Sequence, residues 1–184
     1  MALLVDEAIW AWRGRRWAHL VTDSHVDELH QLAHTLGLPY LAFQGDHYDV
    51  HEDLRVAAIS AGAVPTPARD LVRALRAAGL RRRGPVPAWE WTVRRAAAAG
   101  PLADAVAGLV AAELVEPFIA AVDAAGALDE LGAAQRSGAR VLVASTSRRH
   151  PIEVGLERLS PTVSLHRSTG ERGTYVELLV TDSS

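Results

Sequence analysis

Short apolar runs alternate with stretches of helical spacing through the first half of the chain, a pattern typical of an α/β protein. Three apolar runs predict buried strands over residues 2–5, 17–22 and 40–43. Stretches with apolar side chains on one helical face predict helices over residues 24–36, 51–61 and 67–78. We therefore expect a small mixed sheet with flanking helices in this half of the chain.

The pattern changes at Gly84, where glycine and proline interrupt the apolar periodicity. We therefore predict two domains, an α/β module over residues 1–83 and a second part over residues 84–184. Alanine-rich helical spacing predicts helices over residues 89–125, 128–136 and 152–159, and β-rich runs predict strands over 140–144, 162–166 and 174–180. The second half is thus expected to be rich in helix and to end in strands.

Composition narrows the class of protein only slightly. The chain has 184 residues, 49% of them hydrophobic, and a formal net charge of -3, which is not typical of a general polyanion-binding protein. No cysteine is present, so thiolate zinc sites and cysteine nucleophiles are excluded. The chain shows no membrane-spanning run and no signal peptide, so we predict a cytoplasmic protein, and its alanine-rich helices favour a homodimer.

A polar cluster follows the third predicted strand, in the run Gln44-Gly45-Asp46-His47-Tyr48-Asp49. Polar groups between a strand and a helix are where α/β folds usually carry their chemistry. Asp49 followed by Glu52 also fits a capping box, so a purely structural role for Asp49 stays open.

Several other strands end in ionisable groups, and neighbouring strands would bring them to one edge of the sheet. The catalytic candidates are Asp6, His19, Asp23, His47, Tyr48 and Asp49. Imidazole and carboxylate groups bind zinc, manganese or iron, so His19, Asp23, His47 and Asp49 are candidate ligands of a divalent metal ion. Without a metal, the same groups could act as general acid and base. None of their spacings is a specific motif.

Tryptophan and arginine are concentrated around Gly14, in a stretch that we interpret as a turn or loop. Aromatic faces and guanidinium groups are suited to binding a base or a phosphate. The candidate substrate-binding residues are Trp12, Arg13, Arg15, Arg16, Trp17 and Gln44. The alternative is that the tryptophans pack in the core and the arginines are solvated. His30 and His34 share a helix face, and we interpret them as solvated histidines rather than ligands.

The chain resembles a small bacterial and phage family, the domain-of-unknown-function family 4031, over about residues 3–80. The resemblance depends on the runs 5–8, 16–23, 28–30, 44–49 and 62–64, above all Gly45-Asp46-His47-Tyr48-Asp49 and His19-Leu20-Val21-Thr22-Asp23. It implies that these polar residues are hallmark positions of the family, and it implies no activity.

Three functional hypotheses follow. The first is a hydrolase of the phosphodiesterase type, which acts through the Asp/His site on a phosphate-containing small molecule or nucleic acid. The second is a non-catalytic module that binds a nucleotide or nucleic acid through its arginines. The third is a buried polar network that fixes the loops and binds no ligand.

Overall fold

A computed structural model describes residues 2–82, 84, 86–96, 102–126, 129–150 and 152–182. Within these residues the fold is mixed α/β, with two sheets and five α-helices. The chain forms two compact units, one of Met1–Leu36 with Tyr40–Val86 and the other of Gly37–Pro39 with Pro87–Ser184. None of the described helices is long and apolar enough to cross a membrane.

The first unit is built on a five-stranded sheet. Its strands are β1 (Leu3–Val5), β2 (Trp10–Trp12), β3 (Arg15–Thr22), β4 (Tyr48–His51) and β5 (Val64–Pro65). β3 is central: β4 pairs with it along one edge, and β1 and β2 pair with it along the other. These three pairings are antiparallel, whereas β1 pairs with β5 in parallel, so the predicted mixed sheet is confirmed.

Three α-helices complete the first unit: α1 (Val26–Thr35), α2 (Glu52–Ser60) and α3 (Ala68–Ala77). α3 covers part of the sheet, because its buried Leu71 and Leu75 pack with Leu4 of β1 and Val21 of β3. Burial of each such side chain contributes about 1.5–3 kcal/mol, so this contact fixes α3 over the ends of β1 and β3.

The stretch predicted as a turn or loop around Gly14 is a β-hairpin, with the turn at Arg13 and Gly14. Trp12 and Arg15 are paired, and the two residues between them have positive φ angles, 50° at Arg13 and 75° at Gly14. Two such residues form the type I′ turn that fits the twist of a two-residue hairpin. Only glycine adopts this conformation without a steric cost, which explains Gly14. We call residues 10–17 the tryptophan hairpin.

The predicted strand over residues 40–43 is wrong, because Tyr40–Ala42 form a short 3₁₀ helix. The strand forms later, over Tyr48–His51, within the polar run itself. Asp49 therefore lies inside a strand and does not cap α2, whose N-cap is His51. The side chains of Tyr40 and Phe43 are buried although residues 40–43 do not form a strand. A prediction from hydrophobicity alone therefore placed the strand too early in the chain.

The second unit contains a six-stranded antiparallel sheet in the order β6-β7-β8-β11-β10-β9. The strands are β6 (Glu90–Ala96), β7 (Glu130–Arg136), β8 (Ala139–Thr146), β9 (Gly155–Ser160), β10 (Val163–Gly170) and β11 (Gly173–Thr181). Helices α4 (Leu102–Val106) and α5 (Ala112–Ala125) lie between β6 and β7 in the sequence. Phe118 of α5 packs with Leu142 and Leu178 in the core of this unit.

The prediction of a helix-rich second half is wrong. The described residues of the helix predicted over 128–136 form β7, and those at the end of the helix predicted over 152–159 form β9. Residues 90–96, also predicted as helix, form β6. Alanine and glutamate favour helix locally, but pairing with neighbouring strands overrides this weak preference. The predicted strands over 140–144, 162–166 and 174–180 are confirmed.

Candidate metal centre

Asp6, His19 and Asp49 form a row across three adjacent strands. His19 of β3 lies directly opposite Asp49 of β4 in the antiparallel register. On the other edge of β3, the backbone N–H of Asp6 donates to the carbonyl of His19 at 3.2 Å, which continues the β1–β3 pairing by one residue. Directly opposed residues project from the same face of a sheet, so strand register brings these three groups together.

Asp6 fixes the orientation of His19. Its buried carboxylate accepts the backbone N–H of His19 at 2.6 Å and lies 2.8 Å from Nδ1 of the imidazole. Carboxylate oxygens accept hydrogen bonds, so Nδ1 of His19 is engaged by Asp6 and Nε2 is the ring nitrogen that a metal ion could reach. Arg55 donates from Nε to the carbonyl of Asp6 at 2.5 Å and so holds this residue from α2.

Asp46, which lies in a tight turn, likewise fixes the orientation of the His47 imidazole. The backbone N–H of Gln44 donates to the carbonyl of His47 at 2.8 Å and closes the turn. Oδ1 of Asp46 lies 2.6 Å from Nδ1 of His47, and Oδ2 accepts from Arg81 at 2.7 Å and from the backbone N–H of Arg82 at 2.9 Å. His47 is therefore held as firmly as His19, again with Nε2 directed away from its carboxylate.

His47 also faces Asp49, with 3.5 Å between Nε2 and the nearer carboxylate oxygen. Burial lowers the pKa of His47, but the hydrogen bonds and charges of Asp49 and Asp46 outweigh it and raise that pKa above 6.5. Burial raises the pKa of Asp46, but His47, the N–H of Arg82 and Arg81 together lower it. In the metal-free site, the two carboxylates therefore favour the protonated form of the His47 imidazole that lies between them.

His19, His47 and Asp49, which we call the metal triad, each offer one ligand atom, and these atoms lie within 4.8 Å of one another. Two ligands of the same zinc, manganese or iron ion lie about 3–4 Å apart, because metal–ligand bonds are about 2.0–2.2 Å. The 3.5 Å between His47 and Asp49 fits this spacing, and the ligand atom of His19 lies within 4.8 Å of both. A histidine that ligates a metal usually donates its other ring N–H to a carboxylate or carbonyl group. Asp6 and Asp46 contact Nδ1 of His19 and His47 in this way.

A small cavity opens beside the metal triad. Its volume is about 160 Å³, and Asp6, His19, His47 and Arg81 line one side while Val21 and α3 line the other. Arg81 is 40% exposed, so its guanidinium reaches the cavity while it holds Asp46. The cavity is smaller than the roughly 300 Å³ of sites that enclose a whole ligand, so only part of a substrate fits inside.

The tryptophan hairpin borders the triad. The ring of Trp10 stacks on His19 at 6.0 Å between centroids, and Trp10 and Trp12 both pack against the buried Trp17. Trp17 donates from Nε1 to the carbonyl of Trp12 at 3.0 Å, which fixes its ring. Of the predicted substrate-binding tryptophans, Trp12 is thus exposed and Trp17 forms its support.

The three arginines of the hairpin are exposed. The guanidinium of Arg13 lies over the ring of Trp12 at 4.5 Å. Arg15 is 4.0 Å from Asp53, and Arg16 donates to the carbonyl of Ile9 at 3.4 Å. These contacts are long or at the surface, so the guanidinium groups face solvent close to the site.

The side chains of three further predicted site residues, Asp23, Tyr48 and Gln44, are placed elsewhere than at the metal triad. Asp23 lies at the far end of β3, where its carboxylate accepts the backbone N–H of Ala2 at 2.6 Å. Tyr48 is fully buried, and its hydroxyl bonds Nδ1 of His30 at 2.9 Å. The side chain of Gln44 is exposed, and its backbone forms the turn described above. Of the four candidate metal ligands, the structure brings together only His19, His47 and Asp49. Asp23 is too far away, because it follows His19 by four residues and lies just beyond the end of β3.

His30 and His34 are buried rather than solvated, so their interpretation as surface residues is wrong. His30 packs against Tyr40 and Phe43. Burial lowers the pKa of His34 to about 4, which keeps it neutral at neutral pH. Both histidines lie in α1, among the side chains that this helix buries.

Sequence reasoning missed Arg55 and Arg81 as parts of the site. Both act through contacts with residues at least 35 positions away in the chain. An arginine-rich sequence contains no local signal that separates these two from the other arginines. Only the pairing of strands and the packing of helices identify them.

The fold and site define an α/β module with a candidate centre of two histidines and one carboxylate. Residues 3–78 match the model of a family described as Protein of unknown function (DUF4031), which confirms the resemblance seen in the sequence. No curated protein and no solved structure matches the chain. All three residues of the metal triad lie inside the matched segment.

Proposed function

We propose that the first unit binds a divalent transition-metal ion through the metal triad and hydrolyses a phosphoester. The observation that carries this proposal is the convergence of His19, His47 and Asp49, with each imidazole held by its own buried carboxylate. Two imidazoles and one carboxylate leave positions on an ion open for water and substrate, as in zinc hydrolases.

His19, His47 and Asp49 would hold the divalent ion, which would supply positive charge that promotes ionisation of a water molecule and stabilises negative charge on the substrate. In the hydrolysis, the water oxygen would form a bond to phosphorus as the bond between phosphorus and the leaving oxygen breaks. One water proton would end on the released alcohol and the other on the phosphate product. Asp6 and Asp46 would keep the two imidazoles in fixed orientations.

Arginines beside the triad support a phosphate-containing substrate. Arg81 lines the cavity with His19 and His47, so a substrate oxygen in the cavity meets a guanidinium as well as the ligands. Arginine binds phosphate oxygens in a bidentate geometry and keeps its charge throughout the pH range of proteins. The exposed arginines of the tryptophan hairpin add positive potential on the adjacent surface.

The first test is metal content. Wild-type protein loaded separately with Zn²⁺, Mn²⁺ and Fe²⁺ and then desalted is expected to keep one ion per chain of at least one of these metals. His47→Ala and Asp49→Asn are expected to lose it because each removes a ligand, whereas His25→Ala, a change of an exposed histidine, is expected to keep it. Elemental analysis measures the content, and circular dichroism checks that each variant folds.

Activity is tested on the same samples with bis(p-nitrophenyl) phosphate. Loss of a metal ligand is expected to reduce the hydrolysis rate by at least about 100-fold. Wild-type protein that retains none of the three metals would contradict the metal site and leave a structural polar network. A loaded protein that hydrolyses no phosphoester would contradict the hydrolase and leave a metal-binding module.

A further inference from the structure

The face of β3 that carries His19 continues outward as an exposed aromatic and cationic surface. Alternate residues of a strand share a face, so Arg15, Trp17 and His19 lie in one line with about 6.5 Å between successive positions. Trp10 and Trp12 lie on the same face of the neighbouring strand, opposite Trp17 and Arg15. The metal triad is therefore one end of a continuous surface.

Two tryptophan rings on this surface are open to solvent. Trp10 is 36% exposed and Trp12 is 48% exposed, although tryptophan usually finds a place in the core. Neither is loose, because both pack on the buried Trp17. The guanidinium of Arg13 lies over the ring of Trp12 at 4.5 Å, so the two rings and this guanidinium together form an aromatic and cationic surface on which a planar group can stack.

Positive charge beside these rings favours an anionic partner. Arg13 lies over Trp12 at 4.5 Å, and Arg15 lies on the same face of β3 as Trp17, although it is also 4.0 Å from Asp53. The cavity at the triad holds about 160 Å³ and has an apolar wall of Val21, Leu71 and Leu75. A substrate larger than this cavity would extend beyond it, and the tryptophan hairpin offers an aromatic and cationic surface for that extension.

We propose that the substrate is a nucleotide unit, with its base stacked on Trp10 and Trp12 and its phosphate at the metal triad. This inference rests on the proposed function, because it names the substrate class of the same site. Every base has a flat face, so stacking on tryptophan binds nucleotides with little dependence on sequence. The ring of Trp10 stacks on His19 at 6.0 Å between centroids, so a base bound to this ring would bring its phosphate toward the metal triad.

The test compares two ligands that differ only by the base, adenosine 5′-monophosphate and ribose 5-phosphate. Isothermal titration calorimetry measures their affinity for the full-length protein, both metal-loaded and treated with a chelator. Wild-type protein is expected to bind the nucleotide more tightly. Trp12→Ala is expected to weaken nucleotide binding by about 5-fold to 150-fold and to leave ribose 5-phosphate unchanged, because only the stacked base is lost.

Two further variants control for folding and for general loss of an aromatic ring. Trp12→Phe keeps a stacking ring and is expected to restore most of the affinity for the nucleotide. Trp91→Ala removes another exposed tryptophan that has an arginine nearby, Arg94 at 5.5 Å, and it lies in the second unit. It is expected to leave both affinities unchanged.

Equal affinity of the wild-type protein for the two ligands would overturn the inference, as would equal weakening of both by Trp12→Ala. Metal content separates this failure from failure of the proposed function. If the protein binds one metal ion but shows no preference for adenosine 5′-monophosphate over ribose 5-phosphate, only the assignment of a nucleotide substrate is overturned. A base preference that depends on Trp12 in protein that binds no metal supports the stacking surface and contradicts the hydrolase.

Discussion

At the residue scale, the main feature is that each candidate metal-ligating histidine has its own buried carboxylate. Asp6 holds Nδ1 of His19, and Asp46 holds Nδ1 of His47. The sequence identified these residue types as site candidates, but it did not show which carboxylate serves which imidazole. That assignment depends on strand register and on a tight turn, neither of which leaves a local signature.

Replacement of Asp46 by asparagine is expected to weaken metal binding by about 10-fold to 100-fold at pH 8, because His47 loses the charge that orients it and increases its basicity. Competition with a chromophoric chelator measures the affinity. Asp70→Asn is the matched control, since Asp70 is also held by an arginine, Arg73 at 2.9 Å, but lies on the surface of α3. Equal affinities of the two variants would contradict this role of Asp46.

The pH dependence of metal affinity in the Asp46→Asn variant tests the same role of Asp46 independently. The raised pKa of His47 means that protons compete with the metal at Nε2, so wild-type affinity falls as the pH drops through this pKa. Without the charge of Asp46 the pKa of His47 is lower, so the midpoint moves to lower pH. In the metal-free protein, the His47–carboxylate interactions stabilise the fold fully below about pH 6.5 and lose this effect as the pH rises through the raised pKa.

At the element scale, the tryptophan hairpin determines what surrounds the site. Its second strand is continuous with the segment that carries His19, so the turn at Arg13 and Gly14 sets where the exposed rings lie. The strand over residues 17–22 could be predicted from its apolar pattern. The hairpin could not, because two tryptophans at alternate positions followed by arginines around a glycine also fit an irregular loop.

Gly14→Ala is expected to lower the free energy of unfolding by about 1–2 kcal/mol, because a residue with a Cβ is strained at a φ of 75°. No atom lies within 4 Å of the position of the added Cβ, so the cost comes from the backbone alone. Urea denaturation measures it. Gly14→Asn is the control and is expected to cost less, since asparagine tolerates this region, and equal costs would contradict a type I′ turn.

At the scale of the whole molecule, the first half of the fold was largely predictable, whereas in the second half only the strands over 140–144, 162–166 and 174–180 were. Strands and helices in the first unit differ in composition, so β1, β3, α1 and α3 follow from their patterns. Alanine occurs in both α5 and β7, and the burial of β7 does not alternate along the strand, so its composition favoured helix. The homodimer and the cytoplasmic location stay predictions.

A bound metal ion is expected to stabilise the first unit as a whole, because its ligands come from β3, β4 and the turn before β4. At a free concentration of 100 times Kd the gain is about 2.7 kcal/mol. Hydrogen exchange of peptides from residues 3–22 measures it as slower exchange with Zn²⁺. The variant His47→Ala is the control, and the same slowing in this variant would contradict binding at the triad.

Arg81 and Arg82, which hold Asp46, follow the matched segment that ends at residue 78. The metal triad and the two arginines that hold Asp46 therefore lie in different parts of the chain. Substitutions after α3 are expected to change the pKa of His47 through Asp46 without altering a residue of the triad. Two chains with identical triads and different segments at this position can thus evolve to work at different acidities.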